Sequence, residues 1–217
     1  MTGPTRYDAD RNAVAALLDG EPGYRVEQVW DGLYRRGLEP ADLSNVPKAL
    51  RARLDERLPT ALAEVARVVA DDGDTTKFLW ELDGGARVET VLMHYDDRTT
   101  VCVSTQAGCA MACGFCATGQ AGFERHLRTG EIVEQVVRAR RDAGGRRVSN
   151  VVFMGMGEPL ANYESTWEAV HRLHDDLGIG ARHLTLSTVG LVPGIRRLAS
   201  ADLPVNLAVS LHAADDE

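Results

Sequence analysis

The sequence predicts an α/β fold: a partial, open βα barrel preceded by a small helical unit and a β-meander. Three observations carry this. Apolar residues recur at helical spacing up to about residue 64. They alternate with polar ones from about residue 65, and after residue 120 continuous apolar strands take turns with amphipathic helices.

In the first part, "DADRNAVAALLDG" offers Asp8 or Asp10 as a helix cap and stops at Gly20. "YRVEQVWDGLYRRG" puts Val26, Val29, Trp30 and Leu33 on one face and stops at Gly37. "PKALRARLDERLP" is a third short helix between prolines. From Val65 the alternation reads as three strands in a meander, with turn signals at "DDGD", "DGG" and "YDD", the last strand leading into a cysteine-rich stretch. Then "TGEIVEQVVRARRDAGG" is an amphipathic helix with Thr129 as its cap, and "VSNVVFMGMGEP" a buried strand ending in a Gly-rich loop. "NYESTWEAVHRLHDDLG" is a helix, "RHLTLSTVG" a strand, "VPGIRRLASA" a short helix and "PVNLAVSLHA" a strand. This order implies parallel pairing, which gathers the strand C-terminal ends on one rim, where ligands bind in such folds. The expected division is 1–64 helical, 65–94 meander and 95–217 barrel. The sequence stops after the fourth strand of the parallel series, so the barrel is expected to be open.

Composition sets the limits on function. The 217 residues are 44% hydrophobic and 26% charged, with a formal net charge of −8, which argues against coating nucleic acid by charge alone. The N-terminus has acids early and no apolar stretch of signal-peptide type, and no apolar run approaches the ~20 residues of a membrane span. A cytoplasmic protein without membrane contact is expected.

Three of the four cysteines crowd into "GCAMACGFCATG": Cys109, Cys113 and Cys116. In a reducing compartment such clusters mean metal or catalysis more often than disulfides. Zinc would need His126 or the distant Cys102 as a fourth ligand. Three thiolates suit a four-iron cube instead, leaving one iron open for a substrate or cofactor. A disulfide and a zinc site remain the alternatives. Read alone, Ser187 is a strand-end cap, His212 a surface histidine, Cys102 a small core residue and Glu89 a solvent-facing strand residue.

C-x₃-C-x₂-C after a barrel strand, with Phe115 before the last cysteine, resembles the signature of radical S-adenosylmethionine enzymes. "CVSTQAGCAMACGFCATGQAGFERHLRTGEIVEQV", "FMGMGEPLAN", "LTLSTVG" and "LAVSLHA" together resemble the RlmN family of RNA methyltransferases, over roughly residues 85–217. The resemblance implies that Cys109, Cys113 and Cys116 bind a [4Fe–4S] cluster. It implies that Gly157, Glu158, Ser187, Ser210, Leu211 and His212 contact S-adenosyl-L-methionine. Cys102 would resolve a covalent protein–RNA adduct and Glu89 would accept a proton. The reaction implied is methylation of carbon 2 of adenosine in 23S rRNA, and in tRNA next to the anticodon. One S-adenosylmethionine methylates a protein cysteine and a second supplies the radical. An electron donor such as flavodoxin or ferredoxin is implied, the helical part is expected to contact RNA, and a monomer is expected. The family's methyl-carrying cysteine lies in a C-terminal segment that this sequence does not include, with the last barrel strands and a cofactor-contacting asparagine. The expectation is a chain that assembles a cluster weakly and does not methylate RNA alone. The alternatives are a Cfr-type relative methylating carbon 8, a different radical enzyme, and a non-catalytic fragment that binds RNA or a cluster.

Overall fold

The computed structural model describes residues 4–211 and 213. Three short helices come first: α1 (Arg11–Leu17), α2 (Tyr24–Tyr34) and α3 (Lys48–Arg57). Of the two candidate caps, Asp10 holds α1, its carboxylate accepting from Ala13 N at 2.7 Å. Asp8 reaches elsewhere: its Oδ1 accepts from Gly130 N at 2.8 Å, in the first turn of the helix Thr129–Arg141. Val29, Trp30, Leu33 and Tyr34 bury the inner face of α2. Trp30 Nε1 donates to Asp176 at 2.8 Å, tying α2 to the second half of the chain. Arg6, only 2% exposed, is neutralised by Glu39 and Asp55, as a buried guanidinium must be.

The strands that follow are β1 (Leu62–Ala70), β2 (Thr75–Leu82), β3 (Arg87–His94) and β4 (Thr99–Cys102), each antiparallel to the one before. The alternation predicted three. The three turn signals bound four segments, each of which forms a strand, so the fourth, β4, leads into the cysteines. On one face Phe78, Trp80, Val88, Leu92, Val101 and Val103 are buried under the helices. Each such side chain contributes roughly 1.5–3 kcal/mol. The opposite face carries Lys77, Glu89, Val91 and Cys102, none of them fully buried.

After β4 the short strands β5 (Gln106–Gly108) and β6 (Phe123–His126) form a separate hairpin, which the sequence reading did not anticipate. The cysteine loop and the one-turn α4 (Ala117–Gln120) lie between them. Gly108 closes this hairpin at φ +71°, where a Cβ would sit 2.0 Å from Gly122 O. Helix α5 (Thr129–Arg141) follows. Its N-cap is Arg128, not Thr129: Glu131 accepts from Arg128 N at 2.8 Å, while the Thr129 hydroxyl donates to Ser165 O at 3.3 Å.

Then come β7 (Val148–Phe153), α6 (Tyr163–His171), β8 (Leu184–Thr188), α7 (Val192–Ala199) and β9 (Asn206–Val209). The chain beyond α6 widens into a π turn over Arg172–Asp176 before Gly178 ends it. Strands β4, β7, β8 and β9 pair in parallel, giving among the described residues one seven-stranded sheet in chain order around the hairpin, not a closed barrel. A continuous apolar core runs from Tyr7 to Leu186, so α1–α3 share it with the sheet.

One buried acid sits at the join between the helices and the sheet. Glu134 on α5 is fully buried, and its carboxylate accepts from Ala61 N at 2.8 Å and Leu62 N at 3.4 Å, where β1 begins. Burial raises its pKa from 4.5 to about 7 against the opposing pull of those amides and of Arg6 and Arg138. The folded state therefore keeps a proton that the unfolded chain has released. This contribution is fully present below about pH 4.5 and lost as the pH rises to about 7. Melting temperatures of wild type and Glu134→Gln, compared across pH 4.5–7.5, are expected to diverge in that window, with only wild type losing stability through this group.

Candidate cofactor site at the strand ends

Parallel pairing delivers the C-terminal ends of β4, β7, β8 and β9 to one rim. A cavity of about 180 Å³ opens there. It is lined by Cys109, Cys113 and Cys116, by Gly155, Gly157 and Glu158 after β7, by Ser187, Thr188 and Val189 at the end of β8, and by Ser210 after β9. Seven of the residues singled out in the sequence thus share one cavity. A larger cleft of about 500 Å³ between the end of α3 and the β2–β3 turn gathers no thiol.

Main-chain hydrogen bonds hold the rim together. Val103 N donates to Val152 O at 3.0 Å, Gly155 N to Val103 O at 3.0 Å and Thr105 N to Met156 O at 2.9 Å. The approach is close enough to require glycine. A Cβ on Gly157, whose φ is +98°, would lie 2.5 Å from the Gln106 side chain, and one on Gly155 would lie 2.8 Å from Ser104 Oγ. Glu158 is 3% exposed and cross-links three segments. Its amide donates to Gln106 Oε1 at 2.8 Å, and its two carboxylate oxygens accept from Leu160 N at 3.0 Å and Val189 N at 2.9 Å. A carboxylate offers about four lone-pair sites, so the cavity side keeps acceptor capacity for a cationic ligand. The Ser187 hydroxyl donates to Phe153 O at 2.8 Å, joining β8 to β7.

The remaining predicted residues fall differently. Cys102 and Glu89 are outside the cavity lining but share the sheet face that leads to it. Cys102 pairs with Val91 and Val152, and Glu89 stands two residues from Val91 on β3. Glu89 pairs with Lys77 Nζ at 3.0 Å. Leu211 is 78% exposed and does not line the cavity. His212 lies outside the described residues. The reading missed Gly155, Thr188, Val189 and Thr118. Their signal was position: each neighbours a residue in a motif already singled out.

The thiols sit in distinct electrostatic settings. Amides of Gly119 and Thr118 and the Thr118 hydroxyl surround Cys116 and lower its pKa, the Gly119 amide contributing most. Cys109 is raised by partial burial, with the Met111 amide opposing and Cys113, Cys116 and Glu158 adding to the rise. The mutual influence of Cys109 with Cys113 and Cys116 reflects their closeness. Among the described residues, no three His, Cys, Asp or Glu side chains converge on a position for a single ion. A cysteine-rich, glycine-cradled cavity at a strand-end rim fits an iron–sulfur cluster, whose several irons take ligands from thiolates spread around it rather than converging on one point. Cys102 is pushed up to about 11 by burial, with only the Met154 amide opposing. Timed alkylation of the metal-free protein with iodoacetamide at pH 7.5, read by mass spectrometry, should label Cys116 before Cys109 and label Cys102 last.

Comparison with known proteins agrees with this geometry. The Radical SAM superfamily pattern matches residues 103–217, which begin at the end of β4 and take in the cavity. A probable dual-specificity RNA methyltransferase RlmN from Chloroflexus aurantiacus is 52% identical over 97% of this chain and 59% of its own length. The protein so named from Salinispora tropica is 54% identical over 99% of this chain and 62% of its own. The crystal structure of a radical SAM methyltransferase from Sphaerobacter thermophilus superposes with a TM-score of 0.92 at 48% identity, covering 97% of this chain and 64% of that one. The chain therefore spans about three fifths of the length of the curated relatives it matches. With the superfamily pattern covering more than half of its residues and the three cysteines facing one rim cavity, the chain belongs to the radical SAM superfamily.

Proposed function

We propose that this chain carries the cluster and cofactor site of an RlmN-type RNA methyltransferase. The observation that supports this most is the gathering of Cys109, Cys113 and Cys116 with Gly157, Glu158, Ser187 and Ser210 around one cavity. The high identity to proteins named RlmN adds the RNA substrate and methyl transfer. The finer reading is methylation of carbon 2 of adenosine in 23S rRNA, and in tRNA beside the anticodon. Residues 1–64 serve as the RNA-contacting part, 65–94 as the meander extension and 95–217 as the radical core.

In this reading Cys109, Cys113 and Cys116 hold a [4Fe–4S] cluster. When bound, the cluster and S-adenosyl-L-methionine supply the one-electron chemistry that an unactivated carbon–hydrogen bond requires. Glu158, aligned by its two amide donors, takes the cationic amino end of the methionine moiety, and the glycine loop allows its main chain to approach. Ser187 and Ser210 complete that side, and Leu211 and His212 are the remaining cofactor contacts of this reading. Glu89 accepts the proton lost from carbon 2, with Lys77 positioning its carboxylate. Cys102 resolves the covalent protein–RNA adduct. Its burial keeps the thiol protonated at neutral pH, so it is held in reserve until it loses its proton. The electron comes from a flavodoxin or ferredoxin, and the protein works as a monomer in the cytoplasm. No helix among the described residues is long and apolar enough to cross a membrane.

The test is anaerobic reconstitution with iron and sulfide, followed by S-adenosylmethionine and a reductant. Cleavage to 5′-deoxyadenosine is expected, and it should fall at least a hundredfold in each of Cys109→Ala, Cys113→Ala and Cys116→Ala. Absence of cleavage in the wild type would overturn the cluster assignment. The position of transfer is read with a full-length protein that includes the C-terminal methyl-carrying cysteine, by nucleoside analysis of 23S rRNA and tRNA incubated with it. 2-Methyladenosine supports the carbon 2 reading, and 8-methyladenosine would replace it with carbon 8.

A further inference from the structure

Gln135 lies on α5, outside the cavity, yet every polar valence of its side chain is used. It is fully buried. Its Oε1 accepts from Ser104 N at 2.8 Å and from the Thr90 hydroxyl at 2.8 Å. Its Nε2 donates to Ser104 O at 3.0 Å and to Glu131 O at 3.2 Å. The amide thus grips both polar groups of one residue, as a neighbouring strand would. It does so two residues past the end of β4, where the chain leaves the sheet for the cysteine loop.

Ser104 passes the restraint on. Its hydroxyl donates to Glu89 O at 2.6 Å and accepts from Met156 N at 2.9 Å. Thr90, the other residue that Gln135 holds, follows Glu89 and accepts from Trp80 Nε1 at 2.9 Å. One amide and two hydroxyls, those of Ser104 and Thr90, therefore connect α5, β2, β3, the end of β4 and the glycine loop. Packing does not call for an amide here: the neighbouring inward positions of α5 are Ile132, Val136 and Ala139, all fully buried. Burying an amide is unfavourable unless its partners are all in place, so the group specifies one arrangement of those partners.

We propose that Gln135, acting through Ser104, is a positioning residue: it fixes Cys102, the Glu89 main chain and the Gly155–Gly157 loop relative to one another. The inference rests on the reading of Cys102 and Glu89 given under Proposed function, but its test uses the metal-free protein. It therefore stands or falls apart from cluster assembly. Cys102 is two residues before Ser104, and its sulfur is held by the Met154 amide two residues before Met156. Loosening Ser104 frees both sides of that contact together and relieves the burial of the sulfur, which outweighs the single amide in setting its pKa, so the thiol becomes more reactive.

The experiment measures Cys102 alkylation by iodoacetamide against pH in wild type, Gln135→Met, Ser104→Ala and the control Val136→Ala. Gln135→Met fills the same volume without the clamp. Its Cys102 rate at pH 8 is expected to rise about tenfold, the equivalent of one pKa unit, while Cys116 labels as in wild type. Ser104→Ala, which keeps the clamp on the main chain, should give a smaller rise in the same direction. Val136→Ala lowers the melting temperature and should leave the Cys102 profile unmoved. An unchanged profile in Gln135→Met and Ser104→Ala would overturn the proposal. So would an equal rise in Val136→Ala, which would make the effect general loosening of the core. If Gln135→Met does not fold, Ser104→Ala against Val136→Ala decides alone.

Discussion

The site depends on one main-chain contact: residues 103–106 at the end of β4 lie directly against residues 152–158 at the end of β7. Four hydrogen bonds make it, from Val103 N, Gly155 N, Thr105 N and Gln106 N. Parallel strands alone would bring these ends near each other, but side chains would keep the loops apart. Gly155 and Gly157 remove that obstacle, and the positive φ of Gly157 turns the loop so that Glu158 points back across the rim. From there the coupling is relayed. Glu158 accepts from Val189 N, and Ser210 N donates to Thr188 O at 2.9 Å, so the loops after β7, β8 and β9 are linked in turn. A site held by short main-chain links keeps its shape without relying on long, mobile side chains.

Much of this was legible in the sequence because it rests on local rules. The helical stripe of Val29, Trp30 and Leu33 and the alternation of Phe78, Trp80 and Leu82 announced their elements through burial on one face. The motif positions were legible because strand ends on one rim follow from parallel connectivity. What escaped reading was decided at a distance. Asp8 looks like a cap for the helix next to it, yet it serves α5, more than a hundred residues later. Strands β5 and β6 are three and four residues long and pair across the cysteine loop, so no window of alternation reveals them. Thr129 has the right chemistry for an N-cap, but Glu131 satisfies Arg128 N from inside the helix and frees the threonine for Ser165. The role of Gln135 was invisible for the same reason: a glutamine on a helix reads as surface until its partners are placed.

The four cysteines show how backbone form sets thiol chemistry. In a strand, amide N–H groups are committed to the ladder and none is left to stabilise a thiolate. Cys102 at the end of β4 finds a single amide, that of Met154 just past the end of β7, and burial dominates its pKa. In the loop beyond Gly108 the amides are not committed to a sheet. Cys116 collects those of Gly119 and Thr118 with the Thr118 hydroxyl, at the start of the one-turn α4. A ligand cysteine must lose its proton to bind metal, and a cysteine kept for a later step must not compete with it. Backbone form and burial together set the four thiols apart: free loop amides favour the Cys116 thiolate, while burial holds Cys102, and to a lesser degree Cys109, in the thiol form.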